Sequence, residues 1–362
     1  MSPPLDSPLF TTPPREVCIL RLSAIGDVCH ALAVVRTLQQ AWPETRFTWV
    51  IGKLEARLFK GIADIEFIVL DKGRGLTAYL DLRRALRGRR FDLLLHMQLS
   101  LRASVASALI PARVKLGFDR ARARELQWLF TNAHIPAAER QHVLDSLFGF
   151  AERVGVHDKP LRWDIPVDQA ALEHAVRVIP AGTATIVISP CSSHAARNWR
   201  PEYYARVADY AVGILGLSVL LCGGPSPGER QMGDAILAHM RHPCTDLIGK
   251  DTLPALLATL ARATVVLTPD SGPAHMATAV GTPVIGLYAA TNPARSGPYL
   301  SRQWCVDRYD AAARKFLKKP ATEIPWTTKI EEPGVMDLIQ PEDVYKKLHA
   351  VLSQQARRSI RR

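Results

Sequence analysis

The sequence lacks the cysteine patterns of disulfide-stabilised and zinc-binding proteins. Its six cysteines are scattered over 362 residues, with no CxxC pair and no metal-type spacing. Such usage argues against a disulfide framework and suits a reducing compartment. Long apolar runs are also missing, since even stretches such as "AVGILGLSVLLCGG" fall short of the ~20 residues that span a bilayer. The sequence therefore predicts a soluble globular protein without a structural metal.

Signatures of nucleic-acid binding are also scarce, although the chain is basic. Lys and Arg number 46 against 34 Asp and Glu, which gives a net charge of +12. This excess favours anionic partners: nucleic acid, an acidic membrane face or phosphorylated substrates. No zinc-finger spacing appears, and the basic clusters are not interleaved with the aromatic residues on which single strands stack. A nucleic-acid partner therefore rests on net charge alone, and solvated basic surfaces are the plainer alternative.

Changes in composition divide the chain into segments. The Pro-rich stretch 1–16 has no apolar core of signal-peptide length and is predicted to be a disordered leader. Residues 155–170 are polar, contain Pro and Asp, and are the best candidate for a linker. We therefore expect an N-terminal domain at 17–160, a C-terminal domain at 161–340, and a C-terminal helix with a basic tail at 341–362.

Short apolar runs alternate with helical patterns in both halves of the chain. Runs such as "VCILRL", "FDLLLHMQ", "ATIVISP" and "TVVLTP" have the length and composition of buried strands. The segments between them carry apolar residues at helical intervals, and "RPEYYARVADYAVG" opens at a proline. This alternation predicts two α/β domains, each a doubly wound parallel sheet. Ligands of such sheets bind beyond the carboxyl ends of the strands, so the loops there are the candidate sites.

The loop after the first strand, "LSAIGD", places an acid near the start of a helix. Gly26 permits a tight turn with close approach of a ligand, and the helix N-terminus offers free N–H groups. The residues alone leave two interpretations of Asp27 open. It is either a helix cap, worth ~1 kcal/mol, or a carboxylate that faces a ligand and accepts a proton. The stretch is not GxGxxG, so it does not predict a dinucleotide site.

Two loops of the second half combine hydroxyl, guanidinium and turn residues. In "SPCSSHAARNWRPEYY", the side chains of Ser192, Ser193 and Arg197 suit phosphate oxygens. In "TPDSGPAHMATAVG", a tight turn follows a strand at the mouth of the next helix, where N–H groups favour an anion. The structural alternatives are an ordinary polar loop and a turn with a cap. The candidate residues of the second loop are Asp270, Ser271, Gly272 and His275.

Two further loops are weaker candidates, because Gly-rich connectors are common. Gly223 and Gly224 in "LCGGPSPGER" let the backbone approach a nucleotide closely. The loop "GKDTLPAL" is placed to line a base pocket. Its candidate residues are Lys250, Asp251, Thr252 and Leu253.

The chain resembles the lipopolysaccharide heptosyltransferases, family 9 of the glycosyltransferases. Three stretches carry the resemblance, in this order: "GDVCHALAVVRTL", "CSSHAARNWRPE" and "DSGPAHMATAVGTPVIGLY". The resemblance spans most of the chain, from Val17 to Val351. It implies a GT-B architecture, in which two Rossmann-like doubly wound domains face each other across a cleft. It also implies inverting transfer of L-glycero-D-manno-heptose from ADP-heptose to the Kdo of the inner core. A second heptosyltransferase, or a family 9 enzyme with another acceptor or nucleotide sugar, is the alternative.

The resemblance also assigns roles to residues. Asp27 stands at the position of the family's proposed general base. Ser192, Ser193 and Arg197 match positions that grip the donor diphosphate, although several members carry Lys where Arg197 stands. The group from Asp270 to His275 matches positions that contact the heptose and the phosphates, and residues 250–253 match the adenine-side loop.

The acceptor implied by the resemblance carries Kdo carboxylates and lipid A phosphates, and it binds the N-terminal domain. A basic face there suits such an acceptor and the anionic inner face of the inner membrane. The resemblance thus implies a cytoplasmic, peripherally membrane-associated enzyme that needs neither metal nor cofactor besides ADP-heptose as donor substrate, and no nucleic acid. The candidate acceptor-binding residues are Gly26, His30, Arg102, Arg120 and Arg122.

Overall fold

The apolar runs pair into two separate parallel sheets, one in each half of the chain. The computed structural model describes the backbone of residues 8–360 and the side chains of residues 8–357. The chain divides into Met1–Pro166 and Val167–Arg362, and the division falls inside the stretch 155–170. Strands alternate with helices in both units, which confirms the prediction of two doubly wound α/β domains.

The first unit has a six-stranded sheet in the order β3-β2-β1-β4-β5-β6, and all its strand pairs are parallel. Its elements are β1 (Glu16–Leu20), α1 (Ile25–Ala41), β2 (Arg46–Gly52), α2 (Lys53–Leu58), β3 (Glu66–Leu70), α3 (Leu76–Ala85), β4 (Phe91–His96), α4 (Leu101–Ala108), β5 (Ala112–Gly117), β6 (Ala133–His134) and α5 (Val143–Arg153). The strand order reverses between β1 and β4. In doubly wound sheets, ligands bind beyond the strand ends at this switch point.

The second unit repeats the same topology, with its sheet in the order β12-β11-β10-β7-β8-β9. Its elements are α6 (Gln169–Val178), β7 (Thr185–Ile188), α7 (Pro201–Gly213), β8 (Ser218–Leu221), α8 (Pro227–His239), β9 (Thr245–Asp246), α9 (Leu253–Arg262), β10 (Val265–Pro269), α10 (Gly272–Ala279), β11 (Val284–Tyr288), α11 (Pro293–Ser296), β12 (Val306–Asp307), α12 (Tyr309–Ala312) and α13 (Pro341–Ile360). The switch point of this sheet lies between β7 and β10.

The described residues nearest each end of the chain pack against the unit to which they belong. Residues 1–7 of the predicted leader lie outside the described residues. Within the rest of it, the backbone N–H of Leu9 donates to the carbonyl of Arg153 at 3.1 Å. At the other end, α13 packs into the core of the second unit through residues such as Leu348. Tyr345 of α13 also stacks on Tyr210 of α7 with ring centroids 3.9 Å apart. No helix of residues 8–360 is both long and apolar enough to cross a membrane.

Candidate active site

Asp27 lies in the first turn of α1, beyond the carboxyl end of β1 at the switch point of the first sheet. The helix begins at Ile25, slightly earlier than the sequence indicated, and Ala24 is its N-cap. The Oδ2 atom of Asp27 accepts the backbone N–H of Ala24 at 3.3 Å. The capping interpretation is therefore confirmed in part. The side chain nevertheless remains 36% exposed, so capping does not prevent contact with a substrate.

Arg21 orients the Asp27 carboxylate, although the sequence analysis did not single it out. Its Nη2 atom lies 2.5 Å from Asp27 Oδ2. Its Nε donates to the carbonyl of Ser23 at 2.9 Å, and its Nη1 donates to the carbonyl of Met97 at 2.5 Å. Both contacts of Asp27 thus go to Oδ2, which leaves Oδ1 for a substrate. The available signal was a lone arginine inside the apolar run "VCILRL", immediately before the switch point.

Gln98 connects the loop that carries Asp27 to the next helix of the site. Its Oε1 accepts the backbone N–H of Leu22 at 2.6 Å. Its Nε2 donates to the hydroxyl of Ser100 at 3.1 Å, and Ser100 is the N-cap of α4. The loops after β1 and β4 are therefore held together by side chains from both.

Two of the arginines predicted to bind the acceptor are available on the surface of the first unit. Arg102 is exposed in the first turn of α4, directly after the Ser100 cap. Arg120 is also exposed, and its guanidinium lies 4.8 Å from the centroid of the Trp128 ring. Both cationic heads are open to an anionic ligand.

The other residues predicted to bind the acceptor are buried or hydrogen-bonded within the first unit. Gly26 and His30 are buried in α1, and the His30 ring packs edge-on against His142 with centroids 5.5 Å apart. The Nη1 atom of Arg122 donates to Gln141 at 3.0 Å and to a serine hydroxyl of α5 at 2.9 Å. Its guanidinium also pairs with a neighbouring aspartate. Arg122 is therefore engaged within the first unit, and contact of Gly26, His30 and Arg122 with the acceptor stays a prediction.

In the second unit, the loops after β7 and β10 are in direct contact at the switch point. The Ser192 hydroxyl donates to the carbonyl of Asp270 at 2.9 Å. The Nη1 atom of Arg197 lies 3.4 Å from Asp270 Oδ2, and these two side chains are only 13% and 11% exposed. The structure therefore brings together three of the residues that the resemblance assigned to the donor.

Arg197 has donor capacity that the protein does not use. Its Nε is buried and has no hydrogen-bond partner among the described residues. A buried donor left in this state costs ~1–3 kcal/mol, and an anion bound beside it removes that penalty. Ser193 is exposed in the same loop, and Ser271 is the N-cap of α10. His275 lies one turn into α10 and is buried.

Glu229 organises the Gly-rich loop after β8 and was missed from the sequence. Its Oε2 accepts the backbone N–H of Gly224 at 2.6 Å. A Cβ atom on Gly223 or Gly224 would lie 2.9 or 2.8 Å from the Glu229 carboxylate. Burial raises the pKa of Cys191 to about 12, and the nearby Glu229 carboxylate adds to that rise. The signal was a capping pattern, because Ser226 stands three residues before Glu229 at the start of α8.

In the predicted adenine-side loop, the polar residues Lys250 and Thr252 are exposed. Asp251 lies 2.8 Å from Nε2 of His174 on α6, and its side chain is 5% exposed. Burial raises the pKa of Asp251, while His174 opposes that rise. Thr252 is the N-cap of α9 and Leu253 is its first residue. Asp251 and Thr252 thus hold the helices of this loop, and the exposed Lys250 ammonium donates to the carbonyl of Asp246 at 2.7 Å.

The two switch points differ in charge and in chemistry. The first presents a carboxylate oriented by an arginine, which suits proton transfer. The second presents a partly unsatisfied guanidinium, hydroxyl groups and a helix N-terminus, which suit phosphate oxygens. Among the described residues, no group of three or more His, Cys, Asp or Glu side chains is arranged to hold a metal ion.

Comparisons with known proteins place the chain in a family. The family described as Glycosyltransferase family 9 (heptosyltransferase) matches residues 79–327. The lipopolysaccharide core heptosyltransferase OpsX of Haemophilus influenzae is 43% identical over 337 residues, which cover 93% of this chain and 97% of that protein.

Solved structures show the same fold. A family 9 glycosyl transferase from Veillonella parvula has a TM-score of 0.77 at 22% identity, covering 94% of this chain and 97% of its own. The E. coli heptosyltransferase WaaC with ADP has a TM-score of 0.71 at 21% identity, covering 93% and 99%. The GT-B fold implied by the sequence resemblance is thus confirmed. The chain belongs to glycosyltransferase family 9, and it is a transferase of the lipopolysaccharide core heptosyltransferase type.

Proposed function

We propose that this enzyme transfers L-glycero-D-manno-heptose from ADP-heptose to the Kdo of the lipopolysaccharide inner core, as a first heptosyltransferase that inverts the anomeric carbon. The observation that carries the proposal is the contact of Ser192 and Arg197 with Asp270 at the second switch point. A buried guanidinium with an unbonded N–H fits a diphosphate better than it fits a neutral ligand. The 43% identity to a lipopolysaccharide core heptosyltransferase supports the choice of donor and acceptor class.

On the donor side, the second unit binds ADP-heptose and stabilises its leaving group. When the bond between the anomeric carbon and the β-phosphate oxygen breaks, its electron pair stays with ADP. Arg197, the hydroxyls of Ser192 and Ser193, and the first N–H groups of α10 meet this developing charge. A preorganised donor aimed at such charge contributes ~2.7–4 kcal/mol to transition-state stabilisation. Lys250 and the Gly223–Gly224 backbone bind the nucleoside end.

On the acceptor side, the first unit supplies the base. Asp27 Oδ1 takes the proton of the acceptor hydroxyl, while Arg21 and the Ala24 N–H hold Oδ2. The hydroxyl oxygen then forms its bond to the anomeric carbon on the face opposite ADP, which gives inversion. The protein groups that neutralise the leaving diphosphate are Arg197 and N–H dipoles, so we propose neither a metal nor a further cofactor.

The acceptor itself is anionic and lipid-linked in this proposal. The exposed guanidinium groups of Arg102 and Arg120 are placed to bind Kdo carboxylates or lipid A phosphates. An enzyme with such an acceptor works in the cytoplasm, at the inner face of the inner membrane. A nucleic-acid partner is not indicated by any of the relatives.

Release of ADP by the purified full chain tests the proposal. With ADP-heptose and Kdo-lipid A present together, we expect ADP to form, and with either substrate alone we expect none. If ADP appears only when a heptosylated core replaces Kdo-lipid A, the protein is a second heptosyltransferase. If ADP-heptose does not bind in a calorimetric titration, the donor assignment is wrong.

A further inference from the structure

An apolar surface on the first unit is not explained by the proposed chemistry. It consists of side chains on α3, on α4 and in the stretch 126–129, and we refer to it as the α3–α4 surface. Its residues are Leu76, Leu80, Leu101, Val105, Leu126, Trp128 and Leu129, between 38% and 83% exposed. They are half of the large hydrophobic side chains that are exposed among the described residues. Single exposed apolar residues are ordinary, whereas a concentration of this kind marks an interaction site.

Direct contacts make the three segments neighbours. The hydroxyl of Tyr79 on α3 donates to the carbonyl of Arg102 on α4 at 3.4 Å. The backbone N–H of Leu101 at the start of α4 donates to the carboxylate of Glu125. The fully buried Gln127 donates to the carbonyl of His96 at 2.9 Å, which anchors the stretch 126–129 to the end of β4. The three segments that carry these apolar residues are therefore neighbours in the fold of the first unit.

The exposed apolar residues of α3 and α4 are not part of the hydrophobic core of the first unit. Ala78 and Leu82 of α3, with Ala103 and Ala106 of α4, fill the core beneath. Leu76 and Leu80 are four residues apart and share a different stripe of α3, as Leu101 and Val105 do on α4. Both helices are thus apolar on two faces. Packing within the first unit requires one of these faces, and the second needs another partner.

The charges around this surface select the chemistry of that partner. Arg83 lies on the stripe of Leu76 and Leu80, and Arg87 follows it; both are exposed. Arg102 and Arg120 are exposed beside the other two segments. The nearby acids are already engaged, since Asp81 pairs with Arg74 and Arg84, and Glu125 accepts the N–H of Leu101. An apolar face bordered by arginines is complementary to a surface that is anionic on the outside and apolar beneath.

We propose that the α3–α4 surface docks the enzyme on a bilayer of anionic lipids. The leucines and Trp128 enter the boundary between headgroups and acyl chains, where indole rings are favoured, and the arginines reach the headgroups. Arginines near an anionic lipid surface are attracted to it, and salt screens this attraction. This inference deepens the proposed function, whose acceptor is lipid-linked, and it identifies which surface meets the membrane.

Co-sedimentation of the full chain with vesicles tests docking in the absence of donor and acceptor. We expect binding to phosphatidylglycerol–phosphatidylethanolamine vesicles and much weaker binding to phosphatidylcholine. Leu76→Asp with Leu80→Asp should weaken binding to the anionic vesicles by at least about tenfold, since two apolar side chains no longer enter the lipid boundary. The matched control is Leu172→Asp with Val176→Asp, which adds the same two charges at apolar residues 45% and 50% exposed on α6 of the second unit. It should bind like the wild type.

Trp128 reports the site of contact. Brominated lipids should quench part of the tryptophan fluorescence in the wild type and not in Trp128→Phe. Equal binding by the wild type and the double variant overturns the proposal, and so does failure to bind anionic vesicles. If the double variant instead converts a dimer into a monomer in sedimentation velocity, the surface joins two copies of the chain and the membrane proposal is wrong.

The test separates docking from catalysis. The double variant should release ADP from ADP-heptose at the wild-type rate with a soluble, deacylated Kdo acceptor, because neither leucine belongs to the site. Loss of vesicle binding with that rate intact supports docking by this surface. A wild type that binds vesicles but never releases ADP contradicts the proposed function and leaves the docking inference in place.

Discussion

Replacing Arg197 with alanine tests whether the second switch point binds a diphosphate. In the free protein, its Nη1 lies 3.4 Å from Asp270 Oδ2, longer than the usual hydrogen-bond distance of about 2.7–3.2 Å. Its Nε has no hydrogen-bond partner among the described residues. Removing the side chain leaves the buried Asp270 carboxylate without its cation, so a lower melting temperature is expected beside the loss of ADP binding.

The magnitude follows from the contacts that ADP would make. A hydrogen bond between a guanidinium and a phosphate oxygen contributes ~1.5–3 kcal/mol. Its loss corresponds to a rise of about 10- to 150-fold in the Kd for ADP. Arg197→Lys keeps the positive charge and loses the planar fork, so its Kd should fall between those of the wild type and Arg197→Ala.

Calorimetric titration with ADP measures the effect, and Arg206→Ala is the matched control. Arg206 lies on α7 of the same unit and pairs with Glu342, with side chains 52% and 53% exposed. Since exposed pairs are screened by solvent, this variant should bind ADP like the wild type. If Arg197→Ala also binds ADP like the wild type, Arg197 does not hold the diphosphate and the reasoning is refuted.

Two further predictions concern the Gly-rich loop and the buried histidine of the first sheet. Gly224→Ala places a Cβ 2.8 Å from Glu229 Oε1, while Gly228→Ala meets no atom within 4 Å. Gly224→Ala should lower both the melting temperature in a thermal-shift assay and the affinity for ADP, whereas Gly228→Ala should change neither. Equal melting temperatures and ADP affinities of the two variants would contradict the role given to Glu229. Burial lowers the pKa of His96 to about 3 from 6.5. The contribution of neutral His96 to stability is therefore complete above pH ~6.5 and is lost as pH falls toward 3. The loss between neutral pH and pH 5 amounts to ~2 kcal/mol. Denaturant titrations at neutral pH and near pH 5 should show a smaller acid-induced drop for His96→Gln, and an unchanged drop would show that His96 is not its cause.

The sequence predicted both sheets wherever a strand carries its own local signal. β5 was missed because Arg113 and Lys115 interrupt its apolar residues and made the segment resemble a basic surface. The structure shows that Lys115 Nζ donates to the carbonyl of Ser107 at 2.7 Å, and burial lowers its pKa. That partner lies on a neighbouring helix, and no local pattern indicates it.

In the candidate site, too, only the residues that stand in a local motif could be predicted from the sequence. Asp27 and Arg197 were identifiable because each stands in a short motif at the end of a strand. The role of Arg21 depends on the carbonyl of Met97, which is brought close by the pairing of β1 with β4. The partners of Arg122 were not predictable for a related reason, since the groups that bind it lie up to 24 residues away. Strand order and long-range contacts determine these roles, and neither can be read from spacing.

The turnover of Asp27→Asn decides whether Asp27 is the base of the transfer reaction. Asparagine keeps the size of the side chain but cannot accept the proton of the acceptor hydroxyl. With ADP-heptose and Kdo-lipid A, the account predicts that kcat for ADP release falls by ~10²–10⁴-fold, while the Kd for ADP is unchanged because the donor site belongs to the second unit. Turnover near the wild-type rate in a correctly folded variant would contradict the assignment of Asp27 as the base.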